Sequence, residues 1–130
     1  PVELLLTTNG VLIDKYLEDL KIAGIRTVNV SLDSLKESKF EQITGRKMFT
    51  RVWNNIQLLL ENNFEVKINV VAMKGIVDEE FWEFIELTDK YPLELRFIEF
   101  MPFEGNNWNS KQVITAPEMI GWLKEKYNLN

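Results

Sequence analysis

The chain has 130 residues, 45% hydrophobic and 27% charged, with a net charge of −5 and a pI near 4.9. That length supports one domain with its own core, and the acidic balance excludes a surface built for nucleic acid or anionic lipid. With no Cys and no His, disulfides, thiolate nucleophiles and imidazole bases are excluded, so chemistry done by these residues alone must use carboxylates, Lys, Arg, Tyr or hydroxyls.

The chain opens on Pro1-Val2-Glu3, without an initiator Met, directly into the apolar run Leu4-Leu5-Leu6-Thr7-Thr8. This start reads as a piece cut from a longer protein. The run predicts a buried strand ended by the Asn9-Gly10 turn. Val11 to Ala23 places Leu12, Ile13, Tyr16, Leu17, Leu20 and Ile22 near a helical period, and Gly24 suits the residue just past the helix. Thr27 to Asp33, TVNVSLD, alternates Val with polar residues and predicts a second strand. Asn29, Ser31 and Asp33 then share one side of it. A short helical piece follows from Ser34 to Gly45, and a longer amphipathic helix runs from Met48 to Asn62 with Val52, Trp53, Ile56, Leu59 and Leu60 as its stripe. Val66 to Met73 predicts the third strand. Asp78 to Tyr91 predicts a helix with Asp78 as its N-cap, Glu79 and Glu80 as first-turn charges, and Glu83 to Glu86 on a solvated face. Trp53, Trp82 and Trp122 read as core. Leu93 to Met101 is the fourth predicted strand. The polar segment 103–112 reads as a loop, and Thr115 to Glu118 has capping-box spacing ahead of a last helix through Tyr127.

Strands alternating with helical segments, spaced too far apart for hairpins, predict βαβ units and a parallel sheet. A doubly wound sheet would favour a Gly-rich phosphate turn after its first strand, and TTNGV has none. The remaining solution is part of a (β/α) barrel of TIM type, whose strands carry polar residues into the lumen. Thr7, Thr8, Asn9, Asn29, Ser31, Asp33, Lys67, Asn69, Arg96, Glu99 and Met101 then converge toward the carboxyl ends of the strands. Lys67 stands in an otherwise apolar strand: it faces an anion, or it lies near the strand start and reaches to solvent. Arg96 offers a planar fork for phosphate or carboxylate, or a partner for Glu94 or Glu99. Asp33 is alternatively a cap for the segment that follows.

LTTNG at Leu6 to Gly10, NVSLDSL at Asn29 to Leu35, ITGR at Ile43 to Arg46, VKINVV at Val66 to Val71 and RFIEFMP at Arg96 to Pro102 stand in one order and spacing. In this they resemble the GTP 3′,8-cyclases of molybdenum cofactor biosynthesis, which are radical S-adenosylmethionine (SAM) lyases. The resemblance covers nearly the whole chain. It implies that Thr7 and Lys67 contact GTP, that Arg96 lies near the triphosphate, and that Ser31 and Met101 contact SAM. Parity along the strand separates Arg96 from Met101, so a main-chain contact from Met101 is the simpler expectation. The family's [4Fe-4S] clusters need cysteine thiolates, which this sequence lacks. The resemblance therefore implies a central fragment. Residues 1–102 would be the later part of an incomplete radical SAM barrel, and residues 103–130 a loop and helix leading toward a cluster region outside the chain. Such a fragment is expected to be inactive by itself, with an edge at Leu4 to Thr8 that invites homodimeric or swapped association. No membrane span approaches the roughly 20 apolar residues needed, and no signal segment opens the chain, so the cytoplasm is the expected compartment. The rivals are a peptide or sulfatase maturase sharing LTTNG, a barrel aldolase with Lys67 as its Schiff base, and a binding module without chemistry.

Overall fold

The structure, a computed structural model, describes residues 4–99 and 113–127. Four strands, β1 (Leu5–Thr8), β2 (Thr27–Ser31), β3 (Glu65–Ala72) and β4 (Leu93–Glu99), lie in one sheet in the order of the sequence, every neighbouring pair parallel. Helices α1 (Ile13–Ile22), α2 (Glu37–Thr44), α3 (Phe49–Glu61) and α4 (Val77–Lys90) fill the crossovers, and α5 (Ala116–Tyr127) follows β4.

Alternation along each strand decides what faces the helices. In β3 the residues Val66, Ile68, Val70 and Ala72 are buried while Glu65, Lys67, Asn69 and Val71 between them are not. Val28 and Val30 of β2 and Leu93 of β4 join the buried set. Against it pack Ile13 and Leu20 of α1, Phe40 of α2, Val52, Ile56 and Leu59 of α3, Phe81 and Phe84 of α4 and Met119 of α5, in one core. Helices confined to one face of a sequentially ordered parallel sheet are the geometry of a barrel segment, not of a doubly wound sheet. The opposite face is polar and would be the lumen.

Three local features follow the sequence closely. Gly24 takes φ +77° just past α1, with its amide on the carbonyl of Lys21 and the next amide, Ile25, on Leu20. Thr115 and Glu118 form the capping box: the Thr115 amide donates to Glu118 Oε2 at 2.7 Å, and the Glu118 amide to Thr115 Oγ1 at 3.4 Å. Trp53, Trp82 and Trp122 pack against the core from its margin, partly buried.

Two local expectations are corrected. Helix α4 begins at Val77, so Asp78 is not its N-cap; Asp78 Oδ1 instead accepts from the amide of Gly75 at 2.6 Å. Strand β1, expected to be buried, has Leu5 and Thr7 exposed and Leu6 and Thr8 only partly buried, because it lies at the edge of the sheet; Glu80 stands in the first turn as expected, and is fully buried there. The anticipated loop at 103–112 lies outside the described residues.

Candidate functional site

The register of the sheet lines up the polar face in rows. Thr7 pairs with Asn29, Asn29 with Lys67 and Lys67 with Glu94, so these four form one row across all strands. The next row toward the carboxyl ends holds Ser31, Asn69 and Arg96. Rows two residues apart are separated by about 6.6 Å, and adjacent strands by about 4.8 Å. Thr7, Lys67, Ser31 and Arg96 therefore share one face within a patch small enough for a single nucleotide-sized ligand and a neighbour. Met101 lies outside the described residues.

Each side chain has a distinct setting. Lys67 is half-buried and its ammonium stands 3.8 Å from Glu94 Oε2, an ion pair whose acidic side is largely exposed. It lies third in its strand, nearer the amino ends than Ser31 and Arg96 are. Glu94 is thus the partner of Lys67, while Glu99 Oε1 accepts from the amide of Ala116 at 2.5 Å. Thr7, Ser31 and Arg96 are exposed on the face. Asn29 is 7% exposed and its Nδ2 donates to Thr7 Oγ1 at 3.3 Å. Among the described residues the side-chain Oδ1 atoms of Asn29 and Asn69 are buried without a hydrogen-bond partner. An unmet buried acceptor costs about 1–3 kcal/mol, so this face is suited to donors arriving from a ligand.

Beyond the carboxyl end of β2 the sheet opens into a cleft of about 240 Å³, lined by Asn9, Ser31, Asp33, Thr44, Arg46 and Met48 among others. That is below the roughly 300 Å³ at which small-molecule sites begin, so the cleft would take one part of a ligand. Asp33 forms part of its wall. Its Oδ1 accepts from the amide of Val71 at 2.8 Å, so it extends the β2–β3 pairing rather than capping α2. Burial raises the Asp33 pKa above the ordinary carboxylate value, against a smaller lowering by that amide. Arg46 was not singled out from the sequence as a site residue; its place in the ITGR motif was the available signal.

The turn that carries Asn9 is tied down from the far side. Asn55 of α3 is buried and its Nδ2 donates to the carbonyl of Gly10 at 2.7 Å, and Arg51 Nε donates to the carbonyl of Val11 at 2.6 Å. A four-residue strand and an Asn-Gly turn are thereby fixed to a long helix, which sets where Thr7 stands.

Comparison with known proteins decides the family. Residues 2–88 match the model of the radical SAM superfamily. The chain belongs to that superfamily. Within it, the chain is similar to GTP 3′,8-cyclase of Desulforamulus reducens, 47% identical over 126 residues that cover 95% of this chain and 39% of the relative. Mitochondrial GTP 3′,8-cyclase of Arabidopsis thaliana is 42% identical over 125 residues, 95% of this chain and 32% of the relative. Molybdenum cofactor biosynthesis protein 1 of Mus musculus is 42% identical over 123 residues, 94% of this chain and 19% of the relative. The chain thus spans between 19% and 39% of the length of these curated relatives. A solved structure of TYW1 with a lysine-pyruvate adduct bound matches with a TM-score of 0.66 over 95% of this chain and 40% of that one, at 19% identity. At that identity the match shows the shared radical SAM barrel fold alone.

The superfamily implies SAM and a [4Fe-4S] cluster in the full-length proteins. These residues do not fit the cluster: the sequence has no cysteine, and no group of three acidic residues capable of holding a metal occurs among the described residues. SAM fits better. Its amine and ribose hydroxyls are donors, and the orphaned side-chain oxygens of Asn29 and Asn69 lie beside Ser31 on the polar face. No helix among the described residues is long and apolar enough to cross a membrane.

Proposed function

We propose that these residues are the central part of a GTP 3′,8-cyclase, the radical SAM lyase that converts GTP to (8S)-3′,8-cyclo-7,8-dihydroguanosine 5′-triphosphate in molybdenum cofactor biosynthesis. The observation that carries this reading is the alignment of Thr7, Lys67, Ser31 and Arg96 on one face, in a chain 47% identical to a relative of that name. The maturase and aldolase readings have no comparable support.

In this reading Lys67 and Arg96 hold the phosphate oxygens of GTP, Lys67 as a point charge and Arg96 as a planar fork. Thr7 gives a hydroxyl to the same substrate. Ser31 and the main chain at Met101 hold SAM, with Asn29 and Asn69 accepting from its donors. In the complete enzyme SAM, given one electron by a cluster held outside this chain, would supply the radical chemistry, and the residues named here would hold it beside GTP. The contribution of this chain is orientation: a rigid sheet fixes two ligands side by side and keeps water from between them. The net charge of −5 gives no general attraction for a triphosphate, so the local cations must do the work. The chain by itself lacks the cluster ligands and is expected to be inactive. The β1 edge, with Leu4 and Leu5 about half exposed, is the face at which isolated copies would associate.

The test uses the full-length gene product, purified anaerobically. It should consume GTP and SAM together and release 5′-deoxyadenosine, and Lys67→Ala should lower turnover at sub-saturating GTP about tenfold without preventing folding. Cleavage of SAM stimulated by a peptide and not by GTP would overturn the reading. For the isolated chain, GTP should bind with Kd above about 1 μM, since part of the triphosphate site would lie elsewhere.

A further inference from the structure

Among the described residues Glu80 is the fully buried carboxylate that the proposed chemistry does not use. It sits in the first turn of α4, 0% exposed. Both its oxygens are spent on one short turn far away in sequence. Ser34 Oγ donates to Oε2 at 2.7 Å, and the amide of Leu35 donates to Oε1 at 2.6 Å. Ser34 is itself 0% exposed, and its hydroxyl oxygen accepts from the amide of Lys36 at 3.1 Å.

That turn leaves the carboxyl end of β2 immediately after Ser31. Its other side is bound to β3, by the Leu32 amide on the carbonyl of Asn69 at 3.0 Å and by Asp33 Oδ1 on the amide of Val71. Residues 32–35 are therefore held between β3 and the helix that follows it in the chain, α4. The two cleft residues at this corner, Ser31 and Asp33, cannot shift without breaking one of these bonds. Removing this carboxylate alone would leave the buried Ser34 hydroxyl and the Leu35 amide without their acceptor. A carboxylate whose oxygens both hold backbone and hydroxyl groups of the ligand-bearing turn has a more specific use.

We propose that Glu80 is a positioning residue. It fixes the turn after β2 from α4, and so sets the placement of Ser31 and Asp33 toward the SAM half of the site. This rests on the reading of Ser31 given above.

In the full-length enzyme, Glu80→Ala is expected to raise the Kd for SAM on the order of tenfold, while the Kd for GTP changes less than about twofold. Glu80→Gln should return SAM affinity to within about threefold of wild type, because its carbonyl still accepts from Leu35 and its amide can donate to Ser34 Oγ. Hydrogen exchange of the amides from Leu32 to Lys36 should be accelerated in the alanine variant and protected in the glutamine variant. An alanine variant that melts earlier but binds SAM like wild type would overturn the proposal and leave Glu80 a stability element. A glutamine variant as weak as alanine would overturn it as well, since the charge and not the turn would then matter. If Glu80→Ala does not fold, Ser34→Ala replaces it, with about threefold weaker SAM binding expected and unchanged binding overturning the idea. Ser31→Ala separates the two readings. Should it leave SAM affinity intact, the assignment of Ser31 fails, and exchange at Leu32 to Lys36 alone decides the role of Glu80.

Discussion

Gly10 is where the thinnest strand of the sheet meets the core, and its replacement by alanine gives a calculable result. Its φ is +81°, and an added Cβ would lie 3.0 Å from Val30 Cγ1 and 3.1 Å from Val52 Cγ1. Both valines are fully buried, one in β2 and one in α3, so neither has room to retreat. The left-handed backbone costs an L-residue about 1–2 kcal/mol, and forcing a methyl into a packed core about 1–3 kcal/mol more. The sum is about 2–5 kcal/mol. Gly24 supplies the control: its φ is +77°, but nothing lies within 4 Å of its added Cβ. Gly24→Ala should therefore cost the backbone share alone, about 1–2 kcal/mol. With a urea slope of about 2 kcal/mol per molar for a small domain, the two midpoints should differ by about 0.5–1.5 M. Equal midpoints would show that the cost at Gly10 is backbone strain only, and that the close packing of β1 against Val30 and Val52 is not a constraint.

Three other outcomes follow from the same contacts. Lys67→Ala should leave stability within about 1 kcal/mol, because its pair with an exposed Glu94 is worth little, yet weaken GTP binding on the order of tenfold by calorimetry; unchanged affinity would remove Lys67 from the site. Asn55→Leu should destabilise by about 1–3 kcal/mol, since it strands the buried carbonyl of Gly10, and chemical denaturation measures this directly. Asp33 has a folded pKa raised above its unfolded value, so the native state binds its proton more tightly and the stability this contributes is present below pH 3.8 and lost as pH rises through the folded pKa. Asp33→Asn should accordingly gain stability relative to wild type across that rise, with unfolding midpoints from pH 3 to 7 as the readout and a pH-independent difference as the refutation.

Much of the fold was legible because its signals are local. The alternation of VKINVV needs no neighbour to predict a strand with two unlike faces, and Thr115 with Glu118 carries its capping geometry in four residues. What residue type alone does not reveal is which partner a side chain finds, distant or local. Glu80 looks like any first-turn acid until Ser34 and Leu35, more than forty positions earlier, close over it. Asp78 reads as a cap by residue type, but the helix starts one residue before it and its carboxylate turns back to Gly75. The candidate site was half legible. Parity placed Asn29, Ser31 and Asp33 on one side of a strand, but parity cannot say which rows meet across strands. Only the register shows that Lys67 shares its row with Thr7, while Arg96 shares the next with Ser31.

The polar face itself raises a question of energetics that a last substitution addresses. Asn69 lies between Ser31 and Arg96 with its side-chain Oδ1 buried and, among the described residues, unpartnered. If the face existed for stability, that acceptor would be a fault costing about 1–3 kcal/mol. If it exists for ligands, the cost is borne in the empty state and recovered on binding. Leucine has nearly the shape of asparagine and no acceptor to leave unmet. Asn69→Leu should therefore be neutral or up to about 1 kcal/mol more stable in urea, and at the same time bind SAM less tightly in the full-length enzyme. A variant that is clearly destabilised and binds normally would mean that Asn69 is satisfied within the fold, and that the row it completes is structural. Gain of stability with loss of binding is the pattern of a surface shaped by what it holds.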